Sequence, residues 1–215
     1  MDTIERESTG TLQGVAVKAS DLLDLITGAA IAAHSKSDLE SLNGVYIKAE
    51  GGKLTAFATD RYRLLVGELA GEGEGEGELS NSLIPLADIK RIIAALKGLD
   101  KSDLRREVVS LTRAGDILTV AIKGGTLTIT IASVQTPPPY EHLFAGEPAP
   151  ISEIQLNADF LAAFAKVPGG GKAGQRFIFT GSSTVAGKVI VKPIRVMIPH
   201  DTINWRGLLM PMRMV

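Results

Sequence analysis

An α+β fold assembled from three copies of a strand–helix–three-strand unit is predicted by three observations. Short runs such as TLQGVAVKA (Thr11–Ala19) alternate apolar and polar residues, the period of a half-buried strand. Three longer stretches repeat their apolar residues at helical spacing instead, and each is followed by further alternating runs. Between the rounds lie two segments of distinct composition, GEGEGEGE (Gly71–Glu78) and QTPPPYEHLFAGEPAP (Gln135–Pro150). Residue identity between the copies is low, so the repeat of about 65–70 residues rests on pattern.

In chain order, Thr11–Ala19 is the opening strand, and Ser20 is the predicted N-cap of a helix through DLLDLITGAAIAAH that ends near Ser35. Strands follow over LNGVYIKAE, KLTAFAT and RYRLLVGEL, reversed at Glu50-Gly51-Gly52 and at Thr59-Asp60. The second round opens with the strand ELSNSLIPL. It continues into the helix LADIKRIIAALKGL, whose apolar stripe is Ile89, Ile92, Ile93 and Leu96, and closes with EVVSLTRAG, DILTVAIKG and GTLTITIAS. The third round runs from the strand ISEIQLN through the helix ADFLAAFAKV, capped by Asn157, to strands over RFIFTG, KVIVKPIRVMIP and WRGLLMPMR. Gly71–Glu78 reads as a solvated spacer, because glycine disfavours regular structure and like charges repel. The prolines of Gln135–Pro150 make it stiff and extended. The expected organisation is therefore a complete domain over 1–135, a Pro-rich linker over 136–150 and a single half-unit over 151–215.

At 215 residues the chain is long enough for a substantial core. Its 23 Lys and Arg nearly balance 24 Asp and Glu, so positive charge for a nucleic-acid partner has to be gathered on one face. There is no cysteine, which excludes disulfides and thiolate chemistry and fits a reducing cytoplasm. No apolar run approaches the ~20 residues of a membrane helix. The start, MDTIEREST, has no secretory h-region, and no membrane partner is expected.

A search for catalytic chemistry finds none. His34, His142 and His200 lack metal-ligand spacing, no G-x-S-x-G or H-E-x-x-H occurs, and no metal or cofactor is expected. GGGKAG (Gly169–Gly174) fails the phosphate-loop pattern in both spacing and context, and reads as a turn. Positive charge does gather: Lys90, Arg91, Lys97, Lys101, Arg105 and Arg106 lie on and after the second helix, with Lys166, Lys172 and Arg176 around the third. Helices routinely carry solvated Lys and Arg. If these helices share one face, they offer sequence-independent attraction to phosphate. The stretch FATDRYRLLVGEL (Phe57–Leu69) poses a different question, since a strand that only fills a core does not need two arginines around a tyrosine at its reversal.

SLNGVYIKAEGGKLTAFATDRYRLLVGEL (Ser41–Leu69), with its A-T-D-x-[YH]-R-L segment, and LLMPMRM (Leu208–Met214), with M-P-[MV]-R near the chain end, resemble the beta subunit of bacterial DNA polymerase III, the sliding-clamp family. The strand–helix–three-strand unit is similar to that family's half-domain. The resemblance implies the DNA-clamp fold, a protein without catalysis, and a basic helical lining facing duplex DNA, here Lys90, Arg91, Lys97, Lys101, Arg105, Lys166 and Lys172. It also implies a pocket for linear peptides of polymerases and repair proteins. Carried over, that pocket comprises Leu42, Thr59, Arg61, Tyr62, Arg63 and Leu64 from the first round, with Leu208, Leu209, Met210, Pro211, Met212 and Arg213 from the end. Leucines and methionines offer an adaptable apolar cleft. Arg63 and Arg213 either orient the bend or meet the peptide backbone. Asp60 and Arg63 pinning the turn by a charged hydrogen bond is the plainer alternative. Partners implied are duplex DNA, a DNA polymerase or other clamp-motif proteins, further copies of the chain and a clamp loader.

The length departs from the family, whose chains carry three domains of two half-units each. Three half-units here suggest a shortened, phage-encoded member, in which the odd half-unit has to pair with its twin to complete a ring. Two functions follow: a sliding-clamp-like replication accessory protein, or a clamp-derived peptide-binding adaptor or decoy that does not encircle DNA.

Overall fold

The computed structural model describes residues 13–34, 38–70, 79–131, 136–150, 153–169, 174–185 and 188–212. The first unit is β1 (Gln13–Lys18), α1 (Ala19–Ala30), β2 (Gly44–Glu50), β3 (Lys53–Thr59) and β4 (Arg63–Ala70). The second is β5 (Leu79–Pro85), α2 (Leu86–Lys97), a short α3 (Lys101–Arg106), β6 (Val108–Ala114), β7 (Ile117–Ile122) and β8 (Gly125–Thr130). The alternating runs of both units form strands as expected. The addition is α3, which Asp100 starts by accepting from the N–H groups of Ser102 and Asp103.

The two units exchange their opening strands. β1 completes the second unit's sheet, in the order β1-β6-β7-β8, while β5 completes the first unit's sheet beside β2. The registers correspond, since Lys18 pairs with Val108 and Pro85 with Gly44. Each exchange also starts a helix. Ala19 N–H donates to Glu107 O at 2.9 Å and Leu86 N–H to Asn43 O at 3.0 Å. Neither helix therefore needs a side-chain cap, and Ser20 is not one: α1 begins a residue earlier, with Lys18 at the cap position and no cap hydrogen bond from its side chain.

The third unit comprises α4 (Ala158–Phe164), β9 (Arg176–Ile178), the hairpin β10 (Ser182–Val185) and β11 (Lys188–Val191), β12 (Ile194–Ile198) and β13 (Ile203–Leu209). β13 runs antiparallel to β4, with Leu208 opposite Leu64, and extends the sheet to seven strands in the order β5-β2-β3-β4-β13-β12-β9. Three expectations need correction. The described part of ISEIQLN, Glu153–Asn157, joins no ladder and is not a strand. The helix of ADFLAAFAKV stops at Phe164. KVIVKPIRVMIP is two strands, broken at Pro193, which has no N–H to give a ladder.

Alternation along the strands sorts two cores. Val45, Ile47, Ala56, Leu65 and Leu209 face the helices and join Leu22, Leu25, Ile26, Ile89, Ile92 and Leu96 in the main core. Tyr46, Phe57, Leu64, Val66, Leu83 and Leu208 face the other way and form a second cluster with Tyr140 and Phe144 of the Pro-rich segment. That segment is a strap laid on the sheet. The Trp205 indole locks the third unit to the first. It enters a slot whose sides are glycines, where a Cβ on Gly28 would lie 2.4 Å, and one on Gly67 2.7 Å, from ring atoms.

Candidate functional site

The bend between β3 and β4 is built around one carboxylate. Asp60 is 5 % exposed. Its Oδ1 accepts from the N–H groups of Tyr62 at 2.9 Å and Arg63 at 2.6 Å, while Oδ2 accepts from Nε and Nη2 of Arg63 at 2.9 and 2.7 Å. Thr59 Oγ1 donates to Arg63 O at 2.7 Å and accepts from Arg61 N–H. Arg61 takes φ 75°, a left-handed conformation that costs a non-glycine residue about 1–2 kcal/mol. The turn-pinning alternative is thus what Asp60 and Arg63 do. The same arrangement aims the Arg63 guanidinium at the Phe160 ring, 4.5 Å from its centroid, and Tyr62 stacks on that ring at 5.8 Å.

The end of the chain comes to this bend. Beyond β13, Met210 N–H donates to Tyr62 O at 2.8 Å and Met212 N–H to Gln155 O at 2.8 Å, with Pro211, which has no N–H, between them. Between bend, terminal strand and strap lies a shallow concavity with about 80 Å³ of accessible volume, lined by Phe57, Thr59, Arg61, Tyr62, Arg63, Leu64, Leu208 and Met210, and by Pro138, Pro139, Tyr140 and Leu143. Its floor is buried, since Leu64 and Leu208 belong to the second core, whereas Tyr62 is 59 % exposed at the rim. Tyr140 packs at a tilt against Phe57, with ring centroids 4.7 Å apart. Burial, and then neighbouring Glu141, pushes the Tyr140 phenol up to about 12, so it stays neutral and serves as a hydrogen-bonding, apolar wall. Arg195 Nη1 donates to Phe144 O at 3.0 Å, and Arg206, paired with Glu68, lies over the Phe144 ring, so two arginines hold the strap down.

Seven of the twelve residues singled out by sequence therefore line one concavity. Leu42 sits apart, in a 3₁₀ turn before β2, and Leu209 faces the helices in the main core. Pro211 and Met212 are not among the lining residues, and Arg213 lies outside the described residues. The strap residues and Phe57 were missed. The alternation that puts Leu64 on one face also puts Phe57 there, and the aromatic Tyr140 amid prolines was the available sign of a docked segment.

Of the basic set, Lys90, Arg91, Lys97, Lys101, Arg105 and Lys166 are exposed, and Lys172 lies outside the described residues. Arg91 is paired with Asp88 at 2.7 Å. α2 and α3 both pack on α1. That helix carries Asp21 and Asp24 and no Lys or Arg. Positive charge is thus confined to part of the helical layer. His200 Nε2 lies 3.4 Å from Asp24 Oδ2. Its Nδ1 accepts from the N–H groups of Thr202 and Ile203, so the ring fixes the β12–β13 turn against α1. Among the described residues no group of three His, Cys, Asp or Glu side chains is arranged to hold a metal, and no helix is long and apolar enough to cross a membrane.

Two layers, paired half-units with exchanged opening strands, and a sheet shared across a unit boundary define a DNA-clamp fold. Residues 16–133 match the family model of the DNA polymerase III beta subunit, central domain. The chain belongs to that family, the bacterial sliding clamps. It is 30 % identical over 161 residues to the beta sliding clamp of Streptomyces coelicolor, covering 75 % of this chain and 40 % of that protein. It is 28 % identical over 142 residues to the beta sliding clamp homolog GriR of Streptomyces muensis, covering 66 % and 36 %. Among solved structures, a sliding clamp from Pseudomonas aeruginosa superposes on the whole chain with TM-score 0.75 at 15 % identity, covering 70 % of that clamp. A P. aeruginosa clamp bound to griselimycin superposes with TM-score 0.69, also at 15 % identity, covering all of this chain and 68 % of that one. The chain spans 36–40 % of the length of the two Streptomyces relatives.

Proposed function

We propose that this chain is a clamp-like DNA replication accessory protein, acting by binding and not by catalysis in the cytoplasm. Short peptides of polymerases and other clamp-motif proteins dock in the Phe57–Leu64–Leu208–Met210 concavity, and the exposed basic side chains of α2 and α3 meet the phosphates of duplex DNA. One observation carries the peptide part: the Asp60 bend, the end of the terminal strand and the strap build an apolar floor with an aromatic and cationic rim, a form suited to one or two apolar anchors of an extended segment. In this reading residues 1–135 are a complete clamp domain, 136–150 the strap and 151–215 a half-unit that supplies the pocket's second wall.

Fluorescence anisotropy with a labelled clamp-motif peptide tests the pocket. Met210→Asp puts a charge at its mouth, where it must be desolvated against the ligand, and is expected to weaken binding about tenfold or more, a loss of ~1.4 kcal/mol. Unchanged affinity would place the peptide elsewhere.

The acidic α1 favours a second reading, an adaptor that binds peptides without encircling DNA. Retention on circular DNA separates the two. For the clamp, charge reversal at Lys90, Lys97 and Arg105 is expected to weaken retention and to flatten the salt dependence by about one unit of slope for each phosphate no longer neutralised. Equal, weak retention of the unsubstituted and reversed proteins supports the adaptor.

A further inference from the structure

The third unit carries both halves of a strand exchange that the first two units complete with each other. In those units the residue immediately before each helix pairs with the first residue of the other unit's sheet, Lys18 with Val108 and Pro85 with Gly44. In the third, β9 pairs with β12 on one side and, among the described residues, is the open edge of the seven-stranded sheet. The segment before α4, Glu153–Asn157, keeps the alternation of a strand without a ladder, with Glu153 and Gln155 exposed and Ile154 and Leu156 half-buried against the core. The helix start differs in the same sense. α1 and α2 each donate their first N–H to the carbonyl that precedes the other unit's sheet, whereas α4 relies on the Asn157 side chain, which accepts from Asp159 and Phe160. α1 and α2 also pack on each other, while α4 leaves Ala158, Leu161, Ala162 and Ala165 exposed at i, i+3, i+4 and i+7.

We propose that the partner of this half-unit is a second copy of the chain, docked about a two-fold axis so that each copy's Glu153–Asn157 segment completes the other's sheet at β9. Register follows from the two exchanges already formed: Asn157 opposite Arg176, Leu156 opposite Phe177 and Gln155 opposite Ile178. Phe179 O already accepts from Ala149 N–H at 2.8 Å, which limits the new ladder to the three residues of β9. The α4 N–H groups then gain the second copy's Gln175 carbonyl, and the two α4 stripes cover each other as α1 and α2 do. An isologous contact of this kind closes on itself and ends the open edge. The proposal specifies the self-association surface of the clamp reading and does not depend on its DNA or peptide parts.

Because the chain has no cysteine, paired cysteines give an unambiguous report. Without DNA or peptide, the unsubstituted protein is expected to sediment as a dimer at micromolar concentration. Oxidised Q155C/I178C is expected to form a covalent dimer without a higher ladder, while either single variant remains uncrosslinked. Leu161→Glu is expected to weaken association on the order of tenfold while the far-UV circular dichroism of the folded protein is unchanged. A monomer at those concentrations, or a dimer that the cysteine pair does not link, overturns the proposal. Peptide binding measured on the same samples judges the pocket separately.

Discussion

Replacing Trp205 with alanine is expected to lower the unfolding free energy by about 3–5 kcal/mol, the range for emptying a large aromatic site. The indole is 1 % exposed and lies where β13, β4 and α1 meet, so its removal opens the seam between the third unit and the first two. Urea denaturation followed by circular dichroism measures the loss, since Trp205 is the sole tryptophan and its fluorescence disappears with it. The slot makes a sharper test. Gly67→Ala sets a methyl against an indole that cannot yield toward Gly28 on its other side, and should be strongly destabilising. In the Trp205→Ala background the same methyl has room, and the cost should largely vanish. Additive losses would mean that the two residues do not share a cavity.

Asp60→Ala should cost a comparable ~3–5 kcal/mol, the penalty for removing one member of a buried ion pair. Four hydrogen bonds are lost, and the Arg63 guanidinium, 16 % exposed, is left uncompensated beside Phe160. The loss is not only global. With no carboxylate to hold the N–H groups of Tyr62 and Arg63, the carbonyl that Tyr62 offers to Met210 is no longer fixed, so peptide affinity should fall with stability. Asp60→Asn keeps one acceptor for the backbone and should retain more of both. Arg63→Lys should not substitute for the native residue, because an ammonium lacks the two-pronged geometry that meets Oδ2. Denaturation and peptide titration on these three variants check the order. Unaltered affinity in Asp60→Ala would separate the bend from the pocket.

The first two units were legible because amphipathic alternation and helical periodicity each commit a segment locally. Strand exchange was not, since β1 and β5 look the same whichever sheet receives them. Ser20 illustrates the consequence: a side-chain cap is the local solution to an orphan N–H, and here a neighbouring strand supplies the carbonyl instead. Glu153–Asn157 shows the reverse, strand-like in pattern and without a ladder, because pairing needs a second segment that its own sequence does not specify. At the site, the motif places Leu208 and Leu209 together in the cleft, yet consecutive residues of one strand point to opposite faces and only Leu208 reaches it. The prolines of the strap suggest a spacer, although a stiff segment loses little entropy when it docks.

The seam between β4 and β13 is a run of seven matched residues whose attraction comes from main-chain amides and carbonyls. Its side-chain demands centre on two places, the Trp205 ring against Gly67 and the Arg206–Glu68 pair. Half-units from divergent relatives should therefore be interchangeable across it, provided that a bulky ring on one bank finds a bare Cα on the other. Fusions made at the strap and scored for solubility would reveal how modular the architecture is.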